Sequence, residues 1–225
     1  MSKNAKISIN PFADYSKASD AKKKSIIKQQ KNPSKFHIAW YQLSKARIKK
    51  SISKNGDLIP VNDGIAELKA RNPVKKRQVL DRTVSIEALR RYTAMILPKL
   101  LYTQKLEIIK SVSTKSIIID GVQILVSPDV IYRTTINGQS YLGAVKIHIS
   151  KNNVFEMQQS RYISTLIFEY LKETVANEDD IVLKELCLSI DIFGQSIVPT
   201  PNNSFRLLKE VKEICSEIKY QWNAA

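Results

Sequence analysis

The chain has 225 residues, of which 43% are hydrophobic, enough to bury a core of its own. It carries 36 Lys and Arg against 21 Asp and Glu, a net charge of +15. Two cysteines exclude a disulfide scaffold and a four-cysteine zinc site, and two histidines leave little for a His-rich metal centre.

The charge is concentrated. Residues 1–110 hold 25 basic and 8 acidic side chains, while 111–225 hold 11 and 13. Such a surplus attracts a polyanion: nucleic acid first, an anionic membrane surface or acidic protein second. No apolar run reaches the ~18 residues that span a membrane. Residues 1–10 have no apolar stretch of the signal-peptide kind, so the expected location is cytoplasmic. A nucleophile elbow, a phosphate-binding Walker loop and a dinucleotide fingerprint are all missing from the sequence.

Residues 1–34 read as a flexible basic arm, with Lys22, Lys23, Lys24, Lys28 and Lys31 among polar neighbours. Residues 35–97 read as a basic helical region. A helix is expected over 35–55, with Trp40, Leu43, Arg47 and Ile48 at helical spacing and Lys45, Lys49 and Lys50 on other faces. Trp40 and Tyr41 could stack on bases, but Trp40 at helical spacing reads first as a core residue. Turn signals at Pro60, Asn62 to Gly64 and Asn72-Pro73 flank one short helical piece. Lys75, Lys76 and Arg77 form a compact basic cluster. A second helix is expected over 84–112, capped by Ser85 and bent or split at Pro98.

Residues 98–225 read as an α/β core. Ser116 to Ile119 is a short β-branched run, and Asp120-Gly121 and Asn137-Gly138 are hairpin turns. Three antiparallel strands in a meander are expected, the last over 141–150. A helix over 153–176, a strand over 183–193 and a helix over 204–222 follow. The order is helices, then β-β-β-α-β-α, an α+β or mixed α/β fold.

A two-residue turn at Asn137-Gly138 pairs Ile136 with Gln139, which sets Asp129 opposite Lys146 on one face. The plain structural reading is a cross-strand ion pair. Pro128 suits a bulge or edge at this point. The first hairpin brings Asp129 level with the end of the preceding helix, within reach of Glu107. Two carboxylates and a lysine could then converge, a set that holds Mg²⁺ (or Mn²⁺) through oxygen ligands and activates water for phosphoryl chemistry.

Ser127-Pro128-Asp129, followed by Ala144-Val145-Lys146, resembles the PD-(D/E)xK nuclease superfamily. Gln158 to Tyr162 matches the Q-x-x-x-Y of its RecB-like and lambda-exonuclease-like branch. The resemblance covers about residues 98–195. It implies a restriction-endonuclease-like core, a central mixed sheet flanked by helices. It also implies a Mg²⁺-dependent deoxyribonuclease, in defence, restriction or recombination. Asp129 would ligate metal, Lys146 would assist the nucleophilic water, Gln158 would contact the active site and Tyr162 would support DNA binding or packing. Outside the resemblance, Lys49, Lys50 and Lys75 to Arg77 of the basic N-terminal region are expected to hold the nucleic-acid backbone. Ala144 departs from the pattern, because alanine cannot ligate a metal. Three readings follow: the acid has migrated, with Glu156 as the candidate; the protein is a non-catalytic nucleic-acid-binding or assembly protein; or alanine replaces a native acid here. The expected partner is nucleic acid, DNA ahead of RNA, with room for a homo-oligomer or a place in a larger complex.

Overall fold

The structure, a computed structural model, describes residues 4–33 and 40–224. The chain opens with strand β1 (Lys6–Ser8) and helices α1 (Ile9–Lys17) and α2 (Asp20–Lys31). The flexible arm expected for 1–34 is therefore corrected over its described part. Ile7, Phe12, Tyr15 and Ile27 are all fully buried. Ile9, Phe12 and Ala13 fall on one helical face, which gives α1 an apolar stripe to dock. Residues 1–3 and 34 of that call lie outside the described residues, as do residues 35–39 of the helix expected over 35–55.

Helices α3 (Gln42–Ile52), α4 (Ile59–Ala70) and α5 (Lys76–Thr93) come next. Pro60 sits in the first turn of α4, where its missing N–H costs nothing. The helix expected from Ser85 begins at Lys76 instead. Ser85 is buried in mid-helix, where its carbonyl accepts from the Ser44 hydroxyl at 3.0 Å. A second small residue, Ser51, meets the Tyr92 hydroxyl at 3.0 Å. These polar contacts let α3 pack closely on α5. Pro98 splits the expected 84–112 helix as anticipated: only a short α6 (Lys99–Thr103) follows it. Residues 107–108 are a strand, β2 (Glu107–Ile108), not a helix end.

The β-strands form two sheets, where one meander was expected. Strands β3 (Ser116–Ile119) and β4 (Val122–Leu125) pair across Asp120-Gly121 and join β1 in a small sheet ordered β1-β4-β3. The chain then breaks at residues 126–129, where Ser127 takes φ 40°. Strands β5 (Val130–Ile136), β6 (Gln139–His148), β7 (Asp180–Asp191) and β8 (Ser196–Pro199) join β2 in the main sheet, ordered β2-β5-β6-β7-β8. Asn137 and Gly138, at φ 51° and 81°, make the two-residue turn, and Ile136 pairs with Gln139 as expected. Helix α7 (Met157–Thr174) carries the chain from β6 to β7, which run parallel, and α8 (Ser204–Ala224) ends the described chain.

The main sheet separates two cores. Val130, Tyr132, Val145, Ile147 and Leu188 point to one face, packed with α3, α4 and α5 residues such as Ile48, Leu68 and Leu89. Ile131, Leu142, Ala144 and Cys187 point to the other, packed with α1, α2, α7, α8 and the small sheet. The fold is mixed α/β, in the α+β sense. Among the described residues no helix is long and apolar enough to cross a membrane.

Candidate nucleic-acid interface

Asp129 lies beside β6 near Lys146, as the two-residue turn requires, but it is not a simple cross-strand ion-pair partner of Lys146. The ladder ends at Val130 with Val145. The Asp129 N–H donates to the Val145 carbonyl at 2.7 Å, and Asp129 Oδ2 accepts from the Ile147 N–H at 2.8 Å. The side chain thus takes over the ladder where the strand backbone turns away. Asp129 Oδ1 pairs with Lys45 Nζ of α3 at 2.9 Å, and only 10% of the Asp129 side chain is exposed.

Lys146 points toward the same region but bonds elsewhere. Its Nζ donates to the Ser127 carbonyl at 2.6 Å and to the Val126 carbonyl at 3.2 Å. The left-handed turn at Ser127 is what accompanies this carbonyl pair. Burial pushes the Lys146 ammonium down to about 8; Asp129 opposes that shift, and Lys45 and Lys49 add to it.

The break at residues 126–129 stands between two open cavities that share Ser127. One, of ≈ 490 Å³, is lined by Lys49, Lys110, Lys115 and Asp129 among others. The other, of ≈ 530 Å³, is lined by Lys6, Lys45 and Lys146. Six lysines thus line these two cavities, and Asp129 is the one carboxylate among their described lining residues.

The remaining expected site residues lie apart. Glu107 pairs in register with Arg133, four residues along β5 from Asp129, or about 13 Å at the usual rise per residue. Its carboxylate is 74% exposed and 3.9 Å from Arg133. The convergence of Glu107 with Asp129 is therefore not formed. Glu156 caps α7 in a reciprocal box with Gln159 and pairs with Lys17 at 2.9 Å. Gln158 and Tyr162 do share a helix face, but both donate to one oxygen of Glu210 on α8, at 2.9 and 2.7 Å. Ala144 is fully buried opposite Ile131 and next to Cys187. Lys75, Lys76 and Arg77 are exposed at the start of α5, and Lys50 is exposed on α3. Trp40 precedes α3 rather than filling its core; it is exposed, with the Arg77 guanidinium 5.9 Å from its ring centre. His148 is structural in its contacts: its Nε2–H donates to the Asn153 carbonyl at 2.6 Å and its ring stacks on Phe155.

A divalent cation needs several oxygen ligands converging on one point. Both Asp129 oxygens are already engaged, Ala144 offers none, and Glu107 and Glu156 are held elsewhere. No three of His, Cys, Asp and Glu lie together among the described residues. The arrangement does not fit a Mg²⁺ site as it stands. It fits an anion better, because the excess charge around the break is positive.

Lys6, Lys110 and Lys115 were not singled out by sequence, and Lys45 was named only as one of the basic positions of the 35–55 helix. Lys45 and Lys49, four residues apart, share a helix face, which signals a basic stripe but not the contact with Asp129. Glu210 had none, being held to Gln158 and Tyr162 only by the packing of α7 on α8. Neither the protein-family models nor the curated proteins compared with this chain match it.

Proposed function

We propose that this chain is a nucleic-acid-binding protein, most simply of DNA, on a degenerate core of the restriction-endonuclease-like type. The observation that carries the reading is the set of six lysines lining the two cavities that share Ser127, with one carboxylate already paired. The order β5-β6-α7-β7 and the nearness of Asp129 to β6 and Lys146 support the resemblance to that superfamily. The exposed cluster Lys75 to Arg77 extends the basic surface. Cations at a helix N-terminus oppose the helix dipole, so intrahelical electrostatics does not account for them, and a polyanion does. The cytoplasm is the setting proposed with this role. Fluorescence anisotropy with a labelled oligonucleotide tests it: affinity is expected to fall steeply with KCl, linearly on logarithmic axes. Absence of binding at low salt would overturn it.

A second reading, a metal-dependent deoxyribonuclease in defence, restriction or recombination, is favoured by Lys146. A buried lysine titrating near 8 is suited to exchange a proton with water. It needs an acid that the present arrangement does not bring to Asp129. Incubation with linear and circular DNA in Mg²⁺ or Mn²⁺ decides between the two. Cleavage lost on Asp129→Ala or Lys146→Ala would establish the second reading, and no cleavage would remove it.

A further inference from the structure

The cation held by the Asp129 carboxylate is a side chain, Lys45, at 2.9 Å. We propose that Asp129 positions Lys45 as a built-in cation, and that Lys45, Lys146 and Lys6 form a seat for one phosphate group that needs no divalent metal. The inference rests on the nucleic-acid reading and gives it a location.

The seat comes from four separate parts of the chain: Lys6 from β1, Lys45 from α3, Lys146 from β6 and Ser127 from the break. The described residues lining this cavity include no carboxylate. Asp129 lines the other cavity and pairs with Lys45 Nζ at 2.9 Å. An ammonium carries several N–H donors. Lys45 spends one of its three on Asp129, and Lys146 spends two of its three on the Val126 and Ser127 carbonyls. Each keeps capacity for an anion. Asp129 in turn cannot swing away, because the Ile147 N–H holds its second oxygen at 2.8 Å. The carboxylate is thus a positioning residue: it fixes where Lys45 points and keeps two neighbouring ammonium groups compatible. The cavity, at ≈ 530 Å³, has room for a phosphate with its flanking sugars.

The test measures binding of a labelled single-stranded oligonucleotide by anisotropy in EDTA, beside inorganic phosphate followed by chemical-shift changes of the lysine side chains. Wild type is compared with Lys45→Met, Lys146→Met and, as a control remote from the cleft, Lys172→Met. The proposal expects oligonucleotide binding to survive EDTA. It expects Lys45→Met and Lys146→Met each to weaken binding about tenfold and to lower the salt slope by about one. Lys172→Met should bind as wild type does. Lys45 is partly exposed, so Lys45→Met remains informative even if Lys146→Met fails to fold. Wild-type affinity in Lys45→Met, or binding abolished by EDTA, overturns the seat and leaves the nucleic-acid reading standing. Inorganic phosphate perturbing Lys45 and Lys146 without any oligonucleotide affinity has the opposite consequence: the seat stands as a free-phosphate site and the nucleic-acid reading fails.

Discussion

Lys146 is held in the folded protein at about 8 against an ordinary value of 10.5, and the largest cause is burial. The charged form is therefore the disfavoured one, and the sign of its effect on stability follows. Below pH 8 the lysine is charged in both folded and unfolded chains, and the cost of burying that charge is fully present. Between 8 and 10.5 the unfolded chain binds more protons, so stability rises with pH. Above both values the cost is gone. At about 1.4 kcal/mol per pKa unit, the gain across this window is on the order of 3 kcal/mol. Urea denaturation at pH 7.5 and 10 checks this. The wild-type difference should exceed that of Lys146→Met, which lacks the titrating group but shares every other lysine and tyrosine. Asp129 raises the Lys146 value, so Asp129→Asn should lower it further; side-chain NMR titration reads the shift directly. The nearness of Asp129 and Lys146 was legible in the sequence, because a turn of known length fixes every pair along a hairpin. The Lys45 contact was not. It joins residues more than eighty positions apart, and nothing local in either segment encodes it.

Strand β6 carries two features at the element scale, one legible and one not. The Asn137-Gly138 turn at its start is local chemistry, since both positions need positive φ. Gly143 answers instead to a distant strand. A Cβ there would lie 2.6 Å from Leu186 Cβ, 2.7 Å from the Leu186 carbonyl oxygen and 2.8 Å from the Tyr132 ring. The register of β6 on β7 also shifts at this point. The carbonyl is backbone and cannot step aside, so Gly143→Ala should cost about 2–3 kcal/mol in chemical denaturation. The turn end of β5 and β6 is tied to β7 by Arg133. Its Nε and Nη2 grip both oxygens of Asp180 at 2.8 and 2.7 Å, and Ser140 adds a hydroxyl at 2.6 Å. The arginine beside it holds the Asp180 carboxyl well below the usual range. That stabilisation is complete above the ordinary carboxylate pKa and is lost as pH falls through the folded value. Arg133→Ala leaves the Asp180 carboxylate with only the Ser140 hydroxyl and the Asn177 N–H as donors, for a cost of about 1–3 kcal/mol at pH 7. Its unfolding transition should then vary less with acid than wild type. Glu107 belongs to this corner rather than to Asp129. The sequence misled there because Leu97, Leu100 and Leu101 carried the helical spacing past Pro98.

At the scale of the whole molecule, the basic first half is less free than its composition suggests. Residues 1–34 were read as an arm because lysines crowd a short, polar stretch. Yet the lysines reach back to acids of the second half, Lys17 to Glu156 and Lys23 to Glu217, at 2.9 and 2.8 Å. The apolar residues between them close the core under the main sheet, and β1 adds a parallel strand to β4. The signal was present in Ile9, Phe12 and Ala13, but net charge outweighed it. A chain beginning at residue 34 is therefore expected to lose structure across the molecule, not merely to lose nucleic-acid affinity. Phe12, Tyr15 and Ile27 leave a face of α7, α8 and the small sheet uncovered, and Lys6 leaves the cleft. Three buried side chains of this size cost several kcal/mol when removed, comparable to the whole stability of a domain. Thermal unfolding of the shortened chain should lack the cooperative transition of the full one. A mobile arm predicts the reverse: the same Tm with weaker oligonucleotide binding. Point variants keep the comparison clean, because Phe12→Ala should lower Tm while preserving every lysine, and Lys22→Ala should leave Tm unchanged.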